Sequence, residues 1–250
     1  MELYHALVRT MDPALPVCSG VLVKDGHILR TGDFAVLRAL YPDARVEDCE
    51  GATLLPGFID GHSHLSAVAW DRLLWDARPS PEGSCDALPA LLESGREYLR
   101  THTLPPEVWV LGFGCDSARL GRLPTREELD QVTRDRPLLL TGAGGEWGAA
   151  NSEGLCRLGY DRPEQAPSPL PGRLLTDPTV AARIQGPGRD QLLLAVADAA
   201  RLYASFGVTT MQDARATGTE ISLLREAGRQ GLIGGDVACY LDEAAALAHL

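Results

Sequence analysis

Two histidines separated by a single residue, His62 and His64, are the clearest sign of chemistry in the sequence. On an extended chain, side chains two residues apart project to the same face, so both imidazoles could reach one metal ion. Neutral imidazole nitrogens suit zinc, and also iron, nickel or copper. A bare pair at this spacing also arises by chance on loops, so the flanking residues must decide between the two interpretations.

The pair ends the segment LLPGFIDGHSHL, residues 54–65. The apolar part of this segment predicts a strand, which Pro56 and Gly57 allow the chain to enter. Gly61 is expected to let backbone pack closely. For Asp60 we favour a structural hydrogen-bonding role over metal ligation.

Four further polar residues are candidates for contacts with a substrate or with the metal ligands. Asp116 and Arg119 follow a predicted strand, at the end where barrel enzymes place their active sites. Glu146 follows a glycine-rich turn, and Asp213 follows another predicted strand. For each of them an ordinary solvated turn or a helix cap is an open alternative.

The elements that must position these residues change in type along the chain. Val17–Val23 and His27–Thr31 flank Lys24-Asp25-Gly26, a strong hairpin signal. From residue 53 onward strands and helices alternate, which indicates a parallel α/β sheet or barrel. The predicted strands are 46–49, 54–60, 107–113, 137–141, 208–212 and 236–241, the predicted helices are 86–103, 125–132, 190–206 and 219–230, and 156–188 is predicted to be mostly loop.

Charge and composition exclude several classes of function. The net charge is -11 and the pI is about 5.0, which argues against binding to nucleic acid or to an anionic membrane surface. The start of the sequence has no signal-peptide pattern, and no apolar run approaches membrane-spanning length. The six cysteines form no CxxC pair, so we expect a reduced, cytoplasmic protein.

Several of these segments together resemble the amidohydrolase superfamily, whose first barrel strand ends in the form PGFIDxHxH. Residues 113–155 and the later GVTTMQD, residues 207–213, resemble the branch called amidohydrolase family 3, and DGHILRTGD, residues 25–33, resembles its small β-domain. The resemblance implies a (β/α)8 TIM-type barrel with a small β-sandwich. We therefore expect a β-domain segment over 1–53 and a barrel over 54–250.

The resemblance also implies an activity. Members of this superfamily use metal-activated water to hydrolyse carbon–nitrogen bonds, here expected to be non-peptide bonds of a small amide-like substrate. His62 and His64 map to the first two ligands of a divalent metal, for which zinc is the expectation. The catalytic aspartate and the later histidines of the family have no counterpart in this chain.

The sequence departs from the family in three respects. Glu146 stands where the family has a histidine, and Thr176 stands at a usually acidic position. About five barrel strands can be counted, whereas a closed barrel needs eight. The remaining histidines are interpreted as surface or structural residues: His5, His27, His102 and His249.

The strand count leads to an interpretation as the N-terminal half of the fold, a partial barrel. Three alternatives stay open: a truncated enzyme, a non-catalytic remnant, and one half of a split enzyme that needs a complementing chain. Open sheet edges expose unpaired backbone groups, so we expect low solubility or oligomerisation, including a homo-oligomer, when the chain is expressed alone.

Overall fold

The computed structural model describes residues 1–247, and His249 lies outside them. The fold is mixed α/β and divides into two compact units. The first contains Met1–Ile59 together with Gly207–Thr210, and the second contains Asp60–Phe206 and the residues from Met211 onward. The domain boundary at residue 53 stays a prediction. No helix among the described residues is long and apolar enough to cross a membrane.

The first unit is built on a four-stranded sheet in the order β3-β2-β1-β4, in which only β1 and β4 are parallel. The predicted hairpin is confirmed: Asp25 and Gly26 both have positive φ, as its tight turn requires. One helix was not predicted, and it is capped by Asp33, whose carboxylate accepts from Val36 N at 3.1 Å. The elements are β1 (Glu2–Arg9), β2 (Val17–Lys24), β3 (His27–Gly32), α1 (Phe34–Leu40) and β4 (Arg45–Leu54).

Residues on the two faces of this sheet alternate, as strand geometry requires. Leu3 and Leu22 are fully buried in a cluster with Leu37 of α1. On the other face, Val8 and Val21 belong to a separate, smaller cluster. The small β-sandwich stays a prediction.

The strand predicted over 54–60 is much shorter than expected. Only Phe58–Ile59 forms a strand, β5, which pairs in parallel with the first residues of β11 (Val208–Ala216). Pro56 has no N–H to donate to a ladder, which limits the strand. The prediction that Gly61 allows close backbone packing was wrong, because a Cβ at this position would meet open space. The backbone instead packs closely at Gly57, where a Cβ would overlap the Thr209 side chain.

A five-stranded sheet in the order β10-β9-β8-β7-β6 forms the frame of the second unit. Its strands β6, β7 and β8 are parallel, and β9 and β10 join in antiparallel fashion. Trp75, Leu138 and Leu140 are fully buried in its core and cluster with Leu91 of helix α3 (Leu88–Thr101). The strands of this sheet are β6 (Trp75–Asp76), β7 (Val110–Cys115), β8 (Leu138–Gly142), β9 (Trp147–Ala150) and β10 (Leu170–Pro171). A further strand, β12 (Asp236–Leu241), lies outside this sheet and neighbours β11.

Most predicted helices are present with small changes at their ends. The helix predicted over 190–206 is α9 (Arg189–Ser205), and Gly207 follows it with φ 78°, a left-handed conformation that ends the helix. The segment 156–188 is irregular but holds short helices. The remaining helices are α2 (Leu65–Asp71), α3 (Leu88–Thr101), α4 (Ser117–Leu120), α5 (Arg126–Leu129), α6 (Ser152–Leu158), α7 (Gly172–Leu175), α8 (Pro178–Ala181), α10 (Gly218–Arg229) and α11 (Glu243–Leu247). Residues 1–247 do not form a closed barrel.

Candidate functional site

His62 and His64 lie together in the short connection between β5 and α2. Their rings meet edge to face with centroids 5.3 Å apart, and both residues are exposed. His64 Nδ1 lies 2.8 Å from the Ala214 carbonyl oxygen. A ring whose Nδ1–H donates to a carbonyl has its Nε2 unprotonated and able to bind a metal, a common arrangement at metal-binding histidines.

Asp60 fixes the backbone that carries the two histidines. Its carboxylate accepts from His62 N at 3.1 Å, from the Ser63 hydroxyl, and from Gln212 N at 3.3 Å. The Ser63 hydrogen bond lowers the pKa of Asp60, which therefore stays ionised as an acceptor. The expected hydrogen-bonding role of Asp60 is confirmed.

Asp213 lies directly beside His64, with which it forms an isolated antiparallel bridge. Its side chain is fully buried, and Oδ1 accepts from Ser66 N at 3.0 Å and from Ser66 Oγ at 2.8 Å. Oδ2 is buried and has no hydrogen-bond partner among the described residues. Burial raises the pKa of Asp213.

Asp116 and Glu146 line a separate cavity of about 460 Å³ in the second unit, beside the carboxyl ends of β7 and β8. Asp116 is also the N-cap of α4, where it accepts from Ala118 N at 2.9 Å. Glu146 is exposed and follows the turn 142–145, as expected for a strand-end turn. Arg119 does not line this cavity, and its guanidinium points to the Ser80 carbonyl at 3.4 Å.

Arg78 also lines this cavity and was not singled out from the sequence. Asp76 holds its guanidinium through Nε at 2.9 Å and Nη2 at 2.7 Å, and the group lies over the Phe113 ring, 5.2 Å from its centroid. Nη1 is left without a partner among the described residues. An arginine two residues after an aspartate gives no distinctive sequence signal, so the pair had to be seen in three dimensions.

The donor set fits a metal in kind but not in number. Imidazole nitrogens are suitable ligands for a divalent ion such as zinc. Within residues 1–247, however, no group of three or more His, Cys, Asp or Glu side chains is arranged to hold one. Thr176 ends α7, and Asp177 caps α8 rather than joining the histidines.

The other described histidines have structural surroundings. His5 stacks on Phe34 with centroids 4.2 Å apart, and His102 ends α3 and stacks on Tyr98 at 4.3 Å. His27 is an exposed residue at the start of β3. None of the three lies in a metal-binding cluster of the described part of the chain.

Comparison with protein families gives two adjacent matches. A model described as "Amidohydrolase family" matches residues 45–242. A model of an imidazolonepropionase-like composite domain of bacteria matches residues 20–44. The two matches together extend from the small β-unit through nearly all the rest of the chain.

Curated relatives include an N-substituted formamide deformylase of Arthrobacter pascens, 34% identical over 180 residues, which are 71% of this chain and 32% of that protein. The putative amidohydrolase YtcJ of Bacillus subtilis is 27% identical over 233 residues, 89% of this chain and 40% of that protein. The chain thus spans well under half the length of these two relatives.

Two solved structures have a similar fold. An uncharacterized metal-dependent hydrolase from Pyrococcus furiosus matches with a TM-score of 0.70 at 19% identity, covering 96% of this chain and 50% of that one. A second, from Pyrococcus horikoshii, matches with a TM-score of 0.71 at 18% identity, covering 96% and 48%. At this level of identity the likeness concerns the fold.

Proposed function

Because the chain belongs to the amidohydrolase family, we propose that it provides the first metal-binding segment of a hydrolase acting on non-peptide carbon–nitrogen bonds. The observation that carries this proposal is the exposed pair of imidazoles, His62 and His64, on one short connection whose backbone is hydrogen-bonded to Asp60. Because the two histidines lie inside the segment that matches the family, residues 45–242, a chance HxH is a poor explanation.

The proposed cofactor is a divalent metal, with zinc as the first choice for imidazole ligands. When bound, such an ion acts as a Lewis acid toward water and toward a substrate carbonyl. His62 and His64 would hold it through ring nitrogens, with His64 using Nε2 because Nδ1 faces the Ala214 carbonyl. Asp213 would support His64 indirectly, through its hydrogen bonds to Ser66.

The proposed substrate is a small amide-like molecule. Asp116 and Glu146 would contact it in the 460 Å³ cavity, with Arg78 offering the unpaired Nη1 as a donor. The deformylase among the relatives acts on N-substituted formamides, which makes such formamides the first compounds to assay. Arg119, which points away to Ser80, is the weakest of the candidate contacts.

Two imidazoles alone would hold a metal weakly, so the proposal includes a source for the remaining ligands. They would come from further chain of the same protein, from a complementing chain, or from a second copy. The free state of all six cysteines suits the proposed reducing, cytoplasmic location.

One alternative has its own support. Glu146 places a carboxylate where the family has a histidine, and Thr176 ends a helix where the family has an acidic residue. Both differences would suit a non-catalytic remnant that keeps the fold and binds no metal.

Metal analysis of the purified chain separates the two. After dialysis against micromolar zinc we expect the chain to retain zinc weakly and the double variant His62→Ala/His64→Ala to retain none, with loss of any hydrolysis of N-substituted formamides. His27→Ala, which removes an exposed imidazole from β3, is the matched control and should keep the metal. Absence of metal from the unaltered chain after dialysis against micromolar zinc would favour the remnant.

A further inference from the structure

Helix α2 begins immediately after the histidine pair, and His64 is its N-cap residue. The first N–H groups of a helix lack partners, and Ser, Thr, Asp or Asn side chains usually accept from them at this position. His64 makes no such side-chain bond. Six other helices are capped by their own preceding residue, namely Asp33, Asp116, Thr125, Asn151, Asp177 and Thr217, whereas α3 and α7 also begin without a side-chain cap.

Asp213 supplies the missing acceptor from a distant part of the sequence. Its Oδ1 accepts from both Ser66 N, at 3.0 Å, and Ser66 Oγ, at 2.8 Å, across 147 residues of chain. The His64 imidazole therefore does not have to accept a hydrogen bond from the helix N–H groups. The ring turns instead to the Ala214 carbonyl.

Two adjacent residues of β11 therefore hold three of the four residues 63–66. Ala214 N donates to Ser63 O at 3.0 Å, the Ala214 carbonyl accepts from the His64 ring, and Asp213 binds Ser66 twice. A fully buried carboxylate with an unpartnered oxygen is costly for a fold. Its presence here calls for a benefit that an apolar side chain of similar size would not give.

We propose that Asp213 is a positioning residue, which fixes His64 so that its Nδ1–H donates to the Ala214 carbonyl and its Nε2 stays free for a metal. The proposal rests on the proposed function in one respect, namely that His64 binds a metal. The orientation of the ring in the metal-free protein does not depend on that assumption, and it can be measured separately.

The test compares three variants of the full chain: Asp213→Ala, Asp213→Asn and Asp177→Ala. Asp213→Asn keeps an oxygen acceptor for Ser66, whereas Asp213→Ala removes it. Asp177→Ala is the matched control, because Asp177 caps its own exposed helix, accepting from Thr179 N at 2.8 Å. The readouts are the ring-proton position of His64, from long-range ¹H–¹⁵N spectra at pH 8 assigned with His64→Gln, and the Co²⁺ dissociation constant.

We expect the unaltered chain and Asp213→Asn to show His64 with its proton on Nδ1. In Asp213→Ala we expect a mixture of the two neutral forms and a Co²⁺ affinity about tenfold lower or more, the loss seen when a residue supporting a ligand is removed. Asp177→Ala should leave both readouts unchanged. If Asp213→Ala does not fold, Ser66→Ala, which removes only the hydroxyl bond, takes its place with a smaller change in the same direction.

An unchanged proton position and an unchanged Co²⁺ affinity in a folded Asp213→Ala chain would overturn the proposal. An equal loss in the Asp177→Ala control would overturn it too, because the effect would then be general. If no variant and no parent chain binds Co²⁺, the proposed metal site fails, and the proton position of His64 still decides whether Asp213 orients the ring.

Discussion

Asn151 offers the sharpest test of how the second unit is held together. It is fully buried between β9 and α6, and all four of its side-chain hydrogen bonds reach backbone groups. Oδ1 accepts from Leu138 N at 2.9 Å and from Gly154 N at 2.8 Å. Nδ2 donates to Thr133 O at 2.7 Å and to Arg136 O at 2.9 Å.

Asn151→Ala would leave two buried donors, the N–H groups of Leu138 and Gly154, and two partly buried acceptors, the carbonyls of Thr133 and Arg136, without partners. Each unsatisfied buried group costs roughly 1–3 kcal/mol, and partial relaxation and entering water would recover some of it. We therefore expect the free energy of unfolding to fall by about 4 kcal/mol, which is a large share of the roughly 5–15 kcal/mol of a typical domain. Helix capping alone would account for only about 1 kcal/mol of this.

The assay is urea unfolding followed by tryptophan fluorescence, with Trp109 as a local probe because it packs in the cluster that contains Ala150 and Leu155. Asp177→Ala serves as the control for the loss of an exposed helix cap, with an expected cost of about 1 kcal/mol. If Asn151→Ala costs no more than this control, the Asn151 bonds are not protected from water and the expected loss is refuted.

Three further perturbations test separate parts of the fold. Gly57→Ala should lower the free energy of unfolding by about 2 kcal/mol through overlap with the Thr209 side chain, and Thr209→Ala in the same chain should restore part of it in thermal melts, because Oγ1 and Cγ2 are removed while Cβ stays; no recovery would contradict this contact. Glu128, whose pKa is lowered to about 2 by its hydrogen bond from an arginine, stabilises the fold fully above its ordinary value of 4.5 and loses this effect as pH falls toward 2. Urea unfolding of Glu128→Gln should therefore show a loss of about 1 kcal/mol at pH 7 that shrinks at acid pH, and a constant difference would be the contrary result. Among the thiols, exposed Cys156 should react with a thiol reagent in the folded chain, whereas buried Cys115, whose pKa is raised to about 12 by burial, should react only on unfolding, as peptide mass mapping would show.

Elements with strong local signals could be predicted from the sequence. The Asp25-Gly26 pair is typical of a tight hairpin turn, and the helix predicted from residue 125 does begin there, with a capping box between Thr125 and Glu128. The prediction over 54–60 failed in length, because the apolar run suggested a strand but Pro56 interrupts its backbone pairing. Helix α1 was missed although Asp33 caps it, since its seven residues give little periodicity to read.

The candidate site was predictable only in its local part. His62 and His64 share a connection and a spacing, so sequence alone could pair them. The bonds from Asp213 to Ser66 join residues 147 positions apart, and no local pattern encodes such a contact. Arg78 was missed for the same reason, because only the folded structure brings it into the same cavity as Glu146.

The position of His64 at the start of α2 also implies a conflict between two selective pressures. Asp213 already accepts from Ser66 N, but a serine or asparagine at position 64 could still accept from the next helix N–H group and would stabilise the helix by up to about 1 kcal/mol. Selection for folding alone would therefore be expected to replace this histidine, whereas selection for metal binding would retain it at a standing cost in stability. His64→Asn should then yield a chain that melts at a higher temperature and has lost its ligand, so lineages that abandoned catalysis would be free to drift in that direction.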